Sequence, residues 1–329
     1  MTTKLVETRN VRAVKAACTR ALQTNGMLAV MAEVGSGKTT LYNHMVDYWQ
    51  QYPHKFSVVK VKAFKGQGPS RISALSKLLV RAIDPELHIP GDIESRYEVL
   101  ARALRYNATH NNRRVILAID EAQDLSLQTF RDLKKLHEID GRDRRGEHQD
   151  NLFSILYFGK LHNTWDRLFS LPELGYRINR VKLELLTSEE IILFAEQKWN
   201  LKFQDIKTKE RFPAVVRHKT PLGVKYVSMA LRQTEEFVDW PDHQPITVRK
   251  DHLQILPLLS LKWMVKQSGY TLQQLTDLAK EKGVKSASRQ RISEMLSGKL
   301  QDSAIGQQLE NAVASIVGAG QEKEIEAVG

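Results

Sequence analysis

Two closely spaced glycines, a lysine and two threonines form the stretch AEVGSGKTT, residues 32–40. Gly35 and Gly37 permit backbone angles that a side chain would resist, so successive N–H groups can point at a common centre. Lys38 can neutralise phosphate charge, and the hydroxyl of Thr39 can bind Mg²⁺. These residue types at this spacing indicate a site for ATP with Mg²⁺ as its counterion.

The pattern G-x-x-x-x-G-K-[ST] has one departure here, because Ala32 stands where the first glycine is usual. A Gly-Lys-Thr turn without a ligand is the alternative interpretation. The apolar run before the turn and the helical spacing after it favour the phosphate site. The residues expected around the nucleotide are Glu33, Val34, Gly35, Ser36, Gly37, Lys38, Thr39 and Thr40.

Two carboxylates, Asp120 and Glu121, follow the apolar run that begins at Arg114. A carboxylate at a strand tip can hold Mg²⁺ through its waters, and the next one can polarise an attacking water. Phosphoryl transfer depends mostly on positioning and charge neutralisation, so these groups suffice for hydrolysis. We therefore expect Thr39 and Asp120 at the metal, Asp120 in the nucleotide site and Glu121 as the catalytic carboxylate.

Short apolar runs rich in β-branched residues predict the strands that position these groups. Segments long enough for helices separate them, which indicates an α/β fold with a parallel five-stranded sheet and helices on both faces. The predicted strands are 27–32, 56–64, 114–120, 153–159 and 181–186.

After the last strand, Thr187 and Glu190 have the spacing of a capping box and predict a helical region. The two prolines in 239–248 indicate a linker. We expect an ATPase core at 1–186, a small helical lid at 187–240, an all-α domain at 241–315 and a disordered tail at 316–329.

Composition limits the classes of function. The 329 residues carry 49 Lys and Arg against 38 Asp and Glu, a net charge of +11. This surplus favours a nucleic acid partner, with a solvated basic surface as the alternative. The one cysteine, Cys18, excludes an internal disulfide and a cysteine zinc site. A signal peptide and a membrane-spanning run are absent from the sequence, so we expect a cytoplasmic protein with no membrane partner.

The stretches 32–40 and 114–121 resemble the nucleotide motifs of AAA+ ATPases. The segment LPELGYRINRVKLELLTSEEI, residues 171–191, is similar to the branch that contains MuB, the TnsC and TniB transposition regulators and the ExeA-type ATPases. This resemblance implies ATP hydrolysis, a homo-oligomer in a helical filament or ring, double-stranded DNA as partner, and a transposase.

The resemblance also assigns residues outside the phosphate site. Arg177 and Arg180 occupy the place of an arginine finger, which acts on the ATP of a neighbouring subunit. Pairing of either arginine with a local carboxylate such as Glu173 is the alternative. Lys160 corresponds to sensor 1 and Lys225 to sensor 2. Both depart from the usual residue types, which implies slow hydrolysis with ATP as a switch.

In the same group, the segment after the second strand faces DNA. The resemblance therefore implies phosphate contacts by Lys65, Gln67 and Arg71, with an exposed basic loop as the alternative. Arginines in 141–148 predict a second basic loop, and the simplest interpretation is that its charges face solvent.

Residues 270–299 have helix-turn-helix spacing. Leu272, Leu275, Leu278 and Ala279 predict the apolar face of the first helix, Gly283 ends it, and Ser286 or Ser288 caps the second helix. The second helix would bury Ile292 and Leu296. It would expose Arg289, Gln290 and Arg291 to DNA, with a helical hairpin that binds a protein as the alternative.

Together these features predict an ATP-dependent DNA-binding regulator of transposition that oligomerises on duplex DNA. A nucleotide-switched helix-turn-helix transcription regulator and an ExeA-like secretion ATPase remain as alternatives.

Overall fold

The computed structural model describes residues 5–65, 71–143, 145–216, 218–232, 234, 236, 241, 244–297, 299–300 and 303–328. The chain forms two compact units, Met1–Glu184 and Leu185–Gly329. Within the described residues, no helix has both the length and the apolar character needed to cross a membrane.

The first unit is built on the parallel five-stranded sheet that the apolar runs predict. Its strands lie in the order β2-β3-β6-β1-β7, and every pairing between them is parallel. A two-residue antiparallel pair, β4 with β5, lies apart from it. The strands are β1 Met27–Ala32, β2 Phe56–Lys62, β3 Arg114–Asp120, β4 Gly141–Arg142, β5 His148–Gln149, β6 Phe153–Lys160 and β7 Ile178–Lys182.

Helices cover both faces of this sheet, because successive side chains of a strand point to opposite sides. In β1, for example, Met27 and Ala29 pack with α3, α4 and α5, whereas Leu28 and Val30 pack with α1 and α2. The helices are α1 Arg9–Gln23, α2 Lys38–Gln50, α3 Ile72–Ile83, α4 Ile93–Tyr106, α5 Leu127–His137, α6 Asn163–Phe169 and α7 Pro172–Gly175.

Cys18 lies on α1 in the second of these apolar clusters and has no exposed surface. Burial raises the pKa of its thiol to about 12, because the charged thiolate is disfavoured in an apolar environment. Cys18 is therefore a packing residue of the first unit.

The fifth strand differs from the predicted 181–186, because β7 begins at Ile178 and ends at Lys182. Its one neighbour in the sheet is β1, with Ile178 opposite Met27 and Lys182 opposite Met31. β1 ends at Ala32, where the chain turns into the glycine loop. The apolar residues after Leu183 therefore have no strand to pair with, and Arg180 lies inside the strand rather than before it.

The second unit is mostly helical. Thr187 and Glu190 form the predicted capping box at the start of its first helix. Its helices are α8 Ser188–Trp199, α9 Ile206–Val215, α10 Pro221–Arg232, α11 Lys250–Gln267, α12 Leu272–Glu281, α13 Arg289–Leu296 and α14 Ala304–Val328. Its strands are β8 Leu201–Phe203 and β9 Ile246–Val248, which pair in parallel.

The predicted division of this unit at residue 241 does not separate two cores. Val224 and Leu231 of α10 pack in one apolar cluster with Leu256 of α11. Tyr226 and Ala230 of the same helix pack in a second cluster with α11, α12, α13 and α14. The stretch predicted as a linker contains β9, and α10 and α11 join the two clusters.

The tail predicted as disordered also differs, since α14 continues through Val328. Ile316 and Val317 are buried in the second cluster, which supplies the apolar contacts that a disordered tail lacks. Residues 321–327 are mainly Gln, Glu, Lys and Ala, which have high helix propensity.

Candidate active site

A glycine turn joins the fully buried strand β1 to helix α2. Gly35 and Gly37 have φ values of 76° and 83°, in the left-handed region that a residue with a Cβ adopts only at a cost. Gly37 is the N-cap of α2, so Lys38 is the first residue of the helix. The turn and the partial positive charge of the helix N-terminus together favour a bound anion.

Lys38 connects the glycine turn to both predicted carboxylates. It is 8% exposed, and its Nζ lies 3.1 Å from Glu121 Oε1 and 3.6 Å from Asp120 Oδ1. The Thr39 side chain is close enough to Asp120 to lower the pKa of that carboxyl, although burial raises this pKa overall. The structure thus brings Lys38, Thr39, Asp120 and Glu121 together.

The pKa values of the two carboxylates are shifted in opposite directions, although the residues are adjacent in sequence. Burial raises the pKa of Asp120, and the charge of Lys38 offsets only part of this effect. Burial alone would also raise the pKa of Glu121, but the charge of Lys38 and a hydrogen bond from Gln123 lower it overall. Glu121 is therefore held as a carboxylate at neutral pH, as a group that accepts a proton must be.

The backbone supports this placement of Glu121. Its φ is 51°, which is uncommon for a residue other than glycine or asparagine and is enriched at functional sites. Its N–H donates to Asp120 Oδ1 at 3.0 Å. Ala122, which follows it, has no exposed surface, so the short 3₁₀ turn Ala122–Asp124 fixes the bend.

Ser36 provides a test of whether the turn fits a phosphate. Its Oγ is buried and has no hydrogen-bond partner among the described residues. A buried hydroxyl without a partner is costly, and a phosphate oxygen would accept its hydrogen. The turn, Lys38, Thr39 and Asp120 together match the donor set for Mg²⁺ and a nucleoside triphosphate.

Gln123 is a residue of this site that the sequence analysis missed. Its Nε2 donates to Glu121 Oε2 at 2.7 Å, and its Oε1 accepts from the backbone N of Lys160 at 3.0 Å. It is 5% exposed. The one signal in the sequence was a polar residue two positions after the predicted catalytic carboxylate.

Lys160, the predicted sensor 1 residue, ends β6 beside these groups. Its charge contributes to the lowered pKa of Glu121. Its backbone O accepts from Trp165 Nε1 at 2.7 Å. Lys225, the predicted sensor 2 residue, is exposed on α10 of the second unit.

Arg177 lies far from the glycine turn of its own chain. Ile178 is opposite Met27, the first residue of β1, and a strand rises about 3.3 Å per residue, so Arg177, one residue earlier, is roughly 20 Å from the end of β1. Its Nη2 lies 3.1 Å from Glu138 Oε1, and its side chain is 50% exposed.

The alternative, that a finger arginine pairs with a nearby carboxylate, is met by Arg177 with Glu138 rather than with Glu173, which pairs with Arg131 at 3.5 Å. Arg180 lies in β7, with its guanidinium carbon 4.5 Å from the centre of the Phe169 ring. Arg177 thus remains at the place predicted for the finger, whereas Arg180 does not.

The predicted DNA contacts of the first unit lie near the carboxyl end of the sheet. Lys65 is exposed shortly after β2, and its charge lowers the pKa of Asp124, although burial raises that pKa overall. Arg71 is the exposed N-cap residue of α3. Gln67 lies outside the described residues.

The predicted helix-turn-helix corresponds to α12 and α13. Gly283 has a φ of 91°, and Ser288, not Ser286, caps α13 by accepting from the backbone N of Arg291. Leu275 and Ala279 are buried in the apolar face. Leu272 is wrong as a member of that face: it is 38% exposed, because it is the first helical residue.

Three polar side chains are exposed at the start of α13, as predicted. Arg289 Nε donates to Gln273 Oε1, Gln290 Nε2 donates to Glu294 Oε1 at 2.9 Å, and Arg291 Nη1 donates to the backbone O of Ser286 at 2.9 Å. These are local bonds at the surface, and a DNA backbone could compete for them.

A family model described as an AAA domain matches residues 20–168. No curated protein matches this chain. Among solved structures, the chain is similar to the ORC2 protein of Aeropyrum pernix in its ADPNP-ADP complexes, with 14% identity, a TM-score of 0.50, and coverage of 93% of this chain and 79% of that one.

The ADP form of the same protein has 15% identity, a TM-score of 0.49, and coverage of 90% and 76%. Cdc6p from Pyrobaculum aerophilum has 13% identity, a TM-score of 0.46, and coverage of 99% and 88%. At these identities the likeness concerns the fold. Residues 20–168 thus match the model of an AAA domain, and the parallel sheet with its glycine turn between β1 and α2 agrees with that fold.

Proposed function

We propose that this protein is an ATP-hydrolysing, oligomeric regulator of DNA transposition that binds duplex DNA in its ATP state. The observation that carries the nucleotide half is the contact of Lys38 with Glu121 and Asp120 in the P-loop of an AAA domain. The DNA half is supported by a net charge of +11 and by exposed basic residues in both units.

In this mechanism, Lys38 and the N–H groups of the turn bind the β- and γ-phosphates. Mg²⁺, held by Thr39 and Asp120, would neutralise the charge of the phosphates. Glu121 accepts a proton from the water whose oxygen forms the new bond to the γ-phosphorus. The bond from that phosphorus to the bridging oxygen breaks, which leaves ADP and inorganic phosphate.

The position of Arg177 relative to the P-loop supports the proposal of an oligomer. Its distance of roughly 20 Å from the end of β1 places it out of reach of its own γ-phosphate. Its guanidinium is half exposed at the amino end of β7, and it could exchange its pair with Glu138 for the nucleotide of a neighbouring subunit. We assign it as the arginine finger, with Arg180 as the second candidate.

The transposition assignment rests on the resemblance of 171–191 to the MuB, TnsC and TniB group, with a transposase as partner. A nucleotide-switched transcription regulator is the second candidate, favoured by Arg289, Gln290 and Arg291 at the start of α13. This arrangement matches a recognition helix, whose N-terminal residues reach base edges.

Electron microscopy and footprinting on duplex DNA, with ATP, ADP or no nucleotide, test the proposal. We expect filaments or rings and long, sequence-tolerant protection with ATP only, and none with the Lys38→Ala variant. One short protected site would support the transcription regulator instead. Absence of DNA binding in every nucleotide state would contradict both and favour the ExeA-like alternative.

A further inference from the structure

The side chain of Gln123 is clamped between the catalytic carboxylate and the end of a different strand. It lies in the 3₁₀ turn after β3 and contacts Glu121 on one side and the backbone N of Lys160, in β6, on the other. Its backbone O accepts from the Thr164 hydroxyl at 3.2 Å. Both ends of the amide and its own backbone are thus held.

The backbone N of Lys160 decides which way the amide faces. A backbone N–H can only donate, so the atom 3.0 Å from it must be the amide oxygen. The amide nitrogen is then left to face Glu121, where it donates to Oε2 at 2.7 Å. This bond is stronger when the carboxylate is ionised, and it forms only at the rotation that brings Oε2 to the amide.

Neighbouring groups leave the amide no room to turn. A Cβ placed on Gly159 would lie 2.7 Å from Gln123 Oε1 and 2.6 Å from Trp165 Cζ2. A Cβ atom essentially never comes this close to another heavy atom, so a side chain at 159 would displace Gln123 or Trp165. Trp165 is itself fixed by its bond to the backbone O of Lys160.

The two oxygens of Glu121 consequently have separate partners. Oε1 lies 3.1 Å from Lys38 Nζ, on the side of the P-loop, and Oε2 faces Gln123. A γ-phosphate bound by Lys38 would therefore have Oε1 as its nearest carboxylate oxygen. The rotation of the carboxylate depends on the hydrogen bond from Gln123 to Oε2. The same bond therefore sets the direction of Oε1.

We propose that Gln123 is a positioning residue for hydrolysis, which fixes Oε2 of Glu121 so that Oε1 points at the attacking water. This inference rests on the proposed ATPase activity. Misplacement of a catalytic group by about 1 Å can cost about 100-fold in rate. Loss of the clamp should therefore lower kcat and leave ATP affinity nearly unchanged, because Gln123 has no contact with the P-loop among its described hydrogen bonds.

Three variants test it: Gln123→Ala, Gln123→Glu and Gly159→Ala. Gln123→Glu keeps the shape and the acceptor for Lys160 but removes the donor to Glu121. We expect kcat to fall by about 10–100-fold in each variant, with the Kd for a fluorescent ATP analogue within about 2-fold of the wild type. Gln128→Ala is the matched control, since Gln128 is exposed on α5 and donates only to Asp132 among its described contacts.

A double-variant cycle separates positioning from a purely structural role. Residues that act as a unit are non-additive, so Gln123→Ala should have no further effect on the residual rate of Glu121→Gln. The inference is overturned if Gln123→Glu hydrolyses ATP at the wild-type kcat, or if the losses from Glu121→Gln and Gln123→Ala multiply. If Gln123→Ala fails to fold, Gln123→Glu decides alone. A wild-type protein that binds ATP without hydrolysing it would overturn the proposed function itself, and this inference with it.

Discussion

The buried amine of Lys38 has two carboxylates as partners, and a bound phosphate would compete with them for it. Lys38→Ala removes that cation, so we expect ATP affinity to fall by about 10–100-fold, the effect of a charge-assisted hydrogen bond. Titration with a fluorescent ATP analogue measures it. Wild-type affinity in this variant would show that the P-loop is not the nucleotide site.

Glu121→Gln should separate binding from hydrolysis. The amide keeps the size of the side chain but cannot accept a proton, so kcat should fall by about 100-fold or more while ATP still binds. Phosphate release measures the rate, and Glu98→Gln, an exposed position on α4, is the control. Normal hydrolysis in Glu121→Gln would remove Glu121 from the catalytic role.

His137 should make the stability of the protein depend on pH. It is buried, and burial lowers its pKa from 6.5 to about 4, although its bond to the backbone O of Asn25 opposes this shift. Between these values the unfolded chain binds the proton more tightly, so the contribution is complete above pH 6.5 and is lost as pH falls towards 4. The loss is about 3 kcal/mol.

Urea unfolding at pH 7 and pH 4.5 measures this effect. His137→Gln should lose less stability between the two pH values than the wild type. His54→Gln, at an exposed position, should behave as the wild type does. An identical pH dependence in all three proteins would contradict the prediction.

The sequence predicted Lys38, Asp120 and Glu121 because each lies in a short motif whose spacing fixes its local geometry. Gln123 was missed because its role depends on where the end of β6 passes the turn after β3. That meeting involves residues 37 positions apart in the chain, and a motif of a few residues does not contain it.

At the scale of elements, the register of β7 against β1 determines whether Arg177 can contact the ATP of its own subunit or that of a neighbour. Arg177→Ala and Glu121→Gln should each be nearly inactive, since a trans arginine contributes about 10³–10⁵ in rate. When the two variants are mixed, some interfaces pair an intact Glu121 with an intact Arg177. ATPase activity of the mixture should therefore exceed that of either variant alone.

Arg131→Ala is the matched control, because Arg131 makes a similar surface pair with Glu173. Surface pairs contribute about 0–1 kcal/mol, so neither arginine variant should lose much stability. Loss of activity without recovery on mixing would place Arg177 in its own subunit's function. Full activity of Arg177→Ala would direct the same experiment to Arg180.

Helices and strands could be predicted where a local sequence pattern specifies them. They were harder to predict where pairing with a distant strand determines their ends. The five parallel strands followed from apolar runs, whereas the ends of β7 depend on where β1 stops. β8 and β9 have three residues each and pair across more than 40 positions, too short and too distant for a periodic signal. The capping box at Thr187 and Glu190 was predictable because it is local.

At the scale of the whole molecule, basic residues in both units are proposed to contact the same polyanion. DNA affinity should fall steeply with salt, because bound phosphates release counterions. Lys65→Ala, Arg71→Ala, Arg289→Ala and Arg291→Ala should each lower the slope of log K against log salt by roughly one. Lys77→Ala, at an exposed position on α3 beyond Arg71, should leave it unchanged.

The two pairs of variants give separate answers. An unchanged slope in Lys65→Ala and Arg71→Ala would exclude the first unit from the DNA interface. An unchanged slope in Arg289→Ala and Arg291→Ala would exclude α13 and favour the helical hairpin that binds a protein.

The buried thiol of Cys18 makes the first unit report its own opening. It is the one cysteine of the chain, so a thiol reagent added to the folded protein has a single target. That target, with its pKa of about 12 and no exposed surface, reacts only after α1 has left the sheet. The labelling rate therefore measures unfolding of the unit that carries the P-loop. ATP at 100 times its Kd would stabilise the folded unit by about 2.7 kcal/mol. If the opening that exposes Cys18 also releases the nucleotide, ATP should lower the labelling rate by about 100-fold. In Lys38→Ala, the same ATP concentration should leave the labelling rate nearly unchanged.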